Sequence, residues 1–191
     1  MAPTLSSLLI ACDGVDSSGC YEALGVFFER CDGIQSLRLE CFDFGEDPSL
    51  SRTVKEGFSR LKQLDLVECR GDIRMFIEQT PILNLKILRY ESDRDAVEEE
   101  DIISAFALSY RTLVNLCIIA KFDSAASLLK IIKNCRSLER VAFGNEGDRL
   151  RVSRDDILAI VSLPRLKYLR IYICEIADDA YSAISRCKGL K

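Results

Sequence analysis

The 191-residue sequence contains no histidine and no tryptophan. Without histidine there can be no Ser-His-Asp or Cys-His nucleophile pair and no His-ligated zinc, and the commonest general base is gone. A basic excess is missing too: 26 Lys and Arg stand against 30 Asp and Glu, a net charge of −4. Proteins that grip a phosphate backbone gather positive charge on one face, so nucleic acid is not an expected partner. There are nine cysteines, an odd number, with no C-x-x-C spacing and no N-x-[ST] sequon. Neither a secreted disulfide framework nor a four-Cys zinc module fits, which points to a reducing compartment, cytoplasmic or nuclear. The longest apolar stretches, such as Leu113–Ala120, fall far below the ~20 residues that cross a bilayer, and the start lacks the basic residues of a signal peptide. No membrane role is expected. Leu9-Ile10-Ala11-Cys12 looks like a lipoprotein cleavage box, but it follows no positive charge and reads better as a strand. Glycine motifs that cradle phosphates or form a hydrolase elbow are absent as well. No cofactor, metal or catalytic site is predicted.

What is present is an ordinary globular mix, 48% hydrophobic and 29% charged, carrying an internal repeat. The pattern L-x-x-L-x-L, with other aliphatics or aromatics substituting, recurs at Leu5/Leu8/Ile10, Ile34/Leu37/Leu39, Leu61/Leu64/Leu66, Leu85/Leu88/Tyr90, Leu113/Leu116/Ile118, Leu138/Val141/Phe143 and Leu166/Leu169/Ile171, and restarts at Leu190. Successive starts lie 24 to 29 residues apart, inside the range of leucine-rich repeats. After each short strand comes a loop and then helical spacing, such as Leu128/Leu129/Ile132 or Ile157/Ile160/Val161. Strand and helix alternating in this way predict right-handed βα units with parallel strands. Helices of ten or more residues per unit predict a horseshoe with strands on its concave side.

The cysteines follow the repeat. Cys31, Cys135 and Cys187 stand three residues before the first aliphatic of a strand, and Cys69 and Cys174 three residues after its last. The stretch from Leu166 to Leu190, LKYLRIYICEIADDAYSAISRCKGL, resembles the cysteine-containing leucine-rich repeat of ribonuclease-inhibitor-like proteins, as found in F-box leucine-rich-repeat proteins; Leu61–Cys69 matches its first half. Cys41 arrives one residue early, and Thr80-Pro81 replaces a helix-end cysteine. The fold class expected is therefore α/β, a leucine-rich-repeat solenoid of about seven repeats, forming one domain over 1–191. With a strand beginning within five residues of Met1 and a new unit opening at Leu190, the chain reads as a slice of a longer array.

The resemblance implies a non-enzymatic module that recognises another protein, in a ubiquitin-ligase context and with ubiquitin-ligase subunits as further partners. No F-box-like segment precedes the first strand. The alternative is a structural or inhibitory horseshoe that caps another protein. Strand alternation puts the residues between and just after the aliphatics on the concave face. The candidate protein-binding residues are Arg38, Glu40, Asp65, Arg89, Glu91, Arg140, Tyr168, Arg170 and Tyr172, with Cys117 the expected accessible thiol. Tyr168, Arg170 and Tyr172 put three hot-spot residue types on one strand; the competing reading is an array end normally covered by the next repeat. The acidic run Asp93, Asp95, Glu98, Glu99, Glu100 and Asp101 lacks the spacing of a calcium loop and is expected to be a solvated helix start. Arg149, Arg151 and Arg154, opposed by Asp155 and Asp156, are expected in a flexible mixed-charge loop after strand six rather than an anion site. The cysteines are expected to pack as small buried hydrophobes rather than to serve redox or metal chemistry.

Overall fold

The computed structural model describes residues 5–12, 18–45, 50–80, 82, 84–94, 96–109, 111–121, 125–145, 150–172, 174–185 and 190. Among them, five-residue strands and helices alternate. The strands of the main sheet are β1 (Ser7–Ala11), β2 (Ser36–Glu40), β3 (Gln63–Val67), β4 (Ile87–Glu91), β5 (Asn115–Ile119), β6 (Arg140–Gly144) and β8 (Tyr168–Tyr172). The helices are α1 (Ser18–Arg30), α2 (Arg52–Ser59), α3 (Ile73–Gln79), α4 (Ala96–Ser109), α5 (Ala126–Asn134), α6 (Arg154–Val161) and α7 (Asp178–Ser185). None is long and apolar enough to cross a membrane.

All seven strands are parallel and lie in chain order within one sheet. The second and third aliphatics of each L-x-x-L-x-L copy take the second and fourth positions of its strand. They align without a slip: Leu8, Leu37, Leu64, Leu88, Leu116, Val141 and Leu169 are successive partners, as are Ile10, Leu39, Leu66, Tyr90, Ile118, Phe143 and Ile171. Register is specified this firmly because a one-residue slip would turn the whole apolar row to the other face. The first aliphatic of each copy sits just before the strand and is buried as well, as at Ile34, Leu61, Leu85 and Leu113. These rows join Phe28, Phe58, Phe76, Phe106, Leu128 and Ile160 from the helices in a single core, so the helices cover one face of the sheet and leave the other open.

Among the described residues the helices are shorter than the sequence suggested: only α1 and α4 exceed ten residues, and α3 has seven. Caps set these lengths. The Ser51 hydroxyl accepts from the Val54 amide, Asp72 accepts from Met75, and Ser153 and Asp156 cap each other's backbone amides in a capping box. Cysteines fall where their spacing placed them. Cys31 and Cys135 close helix ends and are buried, while Cys69 donates to the carbonyls of Leu39 and Val67 and Cys174 to that of Tyr172. The segment Leu9–Cys12 belongs to β1 and its end.

A second, two-stranded sheet corrects the expected loop after strand six. Leu150–Val152 forms β7 and pairs in parallel with β9 (Cys174–Ile176). Arg151 is 3.6 Å from Glu175, and Arg154 opens α6. Leu150 and Val152 are buried, which is why this stretch is a strand despite its charges. Asp95, Gly147, Asp148, Arg149 and Cys187 lie outside the described residues.

Candidate functional site

The uncovered sheet face is a grid whose rows follow from strand pairing. Its central row runs Arg38, Asp65, Arg89, Cys117, Ala142, Arg170; the rows on either side run Ser36, Gln63, Ile87, Asn115, Arg140, Tyr168 and Glu40, Val67, Glu91, Ile119, Gly144, Tyr172. All nine candidate binding residues thus lie on this one face. Leu9 occupies the corresponding place in β1 and is exposed.

Charge is distributed unevenly over the grid. On β2 to β4 the ions compensate one another: Arg38 pairs with Glu40 and stands 3.8 Å from Asp65, and Arg89 is 2.7 Å from Glu91. Asp65 lies on this face but is largely enclosed, with only 7% of the residue exposed. Burial pushes its carboxyl above the usual range, against the opposing pull of a Gln63 hydrogen bond and of the Arg38 and Arg89 charges. Two strands away, beyond Arg89, Cys117 is half-buried, and burial followed by the Glu91 charge raises its thiol pKa. Among the described cysteines Cys41 instead is the exposed one; it follows β2 directly, at a φ of 51°, with its sulfur 3.7 Å from Glu68.

On β5 to β8 the chemistry changes. Asn115, Cys117 and Ala142 form a low floor bordered by Arg140, Tyr168 and Tyr172, with Arg170 next to Ala142 in the central row. The Arg170 guanidinium lies 4.4 Å from the centre of the Tyr172 ring, a cation–π contact. Gly144 makes room for that ring's stem: a Cβ there would come within 2.5 Å of Tyr172 Cβ. A depression of about 360 Å³ opens over the floor, lined by Asp65, Arg89, Cys117, Arg140, Tyr168 and Tyr172 among others. The sequence showed each of these residues on the face, but not the hollow that gathers them.

The acidic run is only partly a solvated helix start. Glu99 is fully buried and accepts a hydrogen bond from Tyr90 at 3.2 Å, while Asp101 is exposed and 3.4 Å from Arg74. No group of three or more metal-ligating side chains gathers among the described residues. No family model matches the chain, and a search of curated proteins returns no match either.

Proposed function

We propose that the chain is a protein-recognition module built from leucine-rich repeats of the cysteine-containing, ribonuclease-inhibitor-like type, with the open sheet face as the concave side of a horseshoe. The observation that carries the reading is the unbroken register of seven parallel strands, which presents three rows of side chains on a face that no helix covers. At about 4.8 Å per strand the face spans roughly 30 Å, enough for a standard patch of about 800 Å². The repeat-locked cysteines, two of which donate to the carbonyl of the last residue of the strand before them, support the subtype. The ubiquitin-ligase setting rests on the sequence resemblance.

A photo-crosslinking residue at Asn115 on the open face, compared with one at Leu158 on the helix face, tests the proposal in a cell extract. Capture of a protein from Asn115 alone is expected, and capture from Leu158 alone overturns the reading. Ubiquitin-ligase adaptor or scaffold subunits among proteins copurifying with the intact chain would support the setting. Stoichiometric inhibition of a captured enzyme would place the module in the capping class instead.

A further inference from the structure

We infer that the β5–β8 part of the open face selects an acidic, extended polypeptide segment carrying two carboxylates two residues apart. The inference rests on the protein-recognition reading and adds the chemistry of the partner. Its basis is a charge asymmetry that the sequence, at a net −4, conceals. The outward positions of β2 to β4 hold two arginines and three carboxylates, already engaged with one another. Those of β5, β6 and β8 hold Arg140 and Arg170 and no acidic residue. Among the described residues no carboxylate lies within ion-pair distance of either guanidinium, and both arginines are exposed.

Geometry narrows the occupant. Arg140 pairs with Tyr168, and Arg170 with Ala142, so the two arginines sit diagonally on adjacent strands. One strand spacing of about 4.8 Å and two residues of about 3.3 Å each put their Cα atoms roughly 8 Å apart. Alternate side chains of an extended peptide are about 7 Å apart, so carboxylates at i and i+2 reach both guanidiniums. Arginine favours this ligand because its planar fork takes a carboxylate through two parallel hydrogen bonds. The small side chains of Cys117 and Ala142 let a backbone approach the sheet, and Tyr168 and Tyr172 flank them with aromatic faces. A nucleic-acid strand fits less well, since two unopposed cations neutralise too few phosphates to hold it on an acidic protein.

The test is selection of a random dodecapeptide phage library on the intact chain, followed by fluorescence anisotropy with the enriched peptides. The expected result is enrichment of Asp/Glu-x-Asp/Glu. Binding should weaken at least ~10-fold in R140Q/R170Q and in 0.5 M NaCl and stay unchanged in R52Q, a control on α2, with circular dichroism confirming that all variants fold. Peptides without acidic pairs that nonetheless lose binding in Y168A/Y172A overturn the acidic preference while leaving protein recognition by this face intact. Acidic peptides indifferent to R140Q/R170Q, a library without binders, or a 20-mer oligouridylate that binds the patch more tightly than any peptide each overturn the inference.

Discussion

Cys41 and Cys69 illustrate how one residue type takes opposite roles within 28 positions. Cys69 is enclosed, its thiol donating to two carbonyls, and burial pushes its pKa up to about 12; Cys135 is likewise raised to about 11. Cys41 is exposed, so access rather than acidity makes it reactive. Iodoacetamide at pH 8 should therefore alkylate Cys41 first among the described cysteines, with Cys69 and Cys135 modified only on unfolding. Peptide mapping by mass spectrometry checks the order, and early labelling of Cys69 would refute it. The raised values also set a sign for alkaline stability. Below pH 9 these thiols are protonated in both states; above it the unfolded chain loses protons that the folded chain keeps, so stability falls as pH rises from 9 towards 11–12. Each thiol contributes up to about 1.4 kcal/mol per pH unit over its window. Urea midpoints between pH 8 and 10.5 should decline, less steeply in C69A. Repeat spacing located these cysteines correctly, but Cys41, one residue early, gave no hint of its exposed left-handed turn. The repeat placed Asp65 on the right face between Arg38 and Arg89, 27 and 24 residues away, but strand alternation carried no sign of how deeply it is enclosed.

Elements were legible in proportion to their periodicity. Each main-sheet strand announces itself by apolar residues two apart within the repeated L-x-x-L-x-L pattern, whereas β7 and β9 have three residues each, and the Leu150/Val152 pair of β7 falls outside that repeat among charged residues. Glu99 was taken for part of a solvated helix start; its partner, the Tyr90 hydroxyl, belongs to the preceding strand, and no local signal joins them. Helix-on-helix packing was also hidden. Gly57 in α2 looks like a flaw, since alanine favours a helix by about 1 kcal/mol. A Cβ there would meet three ring carbons of Phe28 at 2.2–2.5 Å, and that ring is buried edge-on against Phe58, 5.4 Å away. Overpacking typically costs 1–3 kcal/mol, so G57A should destabilise the protein by about 1 kcal/mol despite the better helix former. Shrinking the ring should relieve the clash: G57A/F28L is expected to lose less than the sum of the two single changes in urea denaturation. Simple additivity, or a more stable G57A, would show that the ring can move aside without cost.

At the scale of the whole molecule, a sheet built from one repeated row holds together unevenly. Each strand is supported by the neighbours on its two sides, so stability in such an array is close to a sum of nearest-neighbour contacts. The inward side chains record the difference. Leu37, Leu39, Leu64, Leu66, Leu88, Ile118, Val141 and Phe143 are fully buried, whereas Leu8 and Ile10 of β1 and Leu169 and Ile171 of β8 are only half-buried. β1 has a single partner strand, and its outward Leu9 is 58% exposed. Local opening should therefore be easiest at the sheet's edges and hardest in its middle. Amide hydrogen exchange of this chain is expected to be slowest in β3, β4 and β5 and fastest, among the main-sheet strands, in β1. Truncation should follow the same gradient: L64A removes a fully enclosed side chain and should cost about 3 kcal/mol or more, while L8A should cost about 1 kcal/mol. The two measurements constrain each other, because L64A should also speed exchange in β2 and β4, whereas L8A should reach little beyond β1 and β2. Uniform protection across all seven strands, with L8A as damaging as L64A, would mean that the sheet opens as one cooperative unit and that edge burial does not govern its stability.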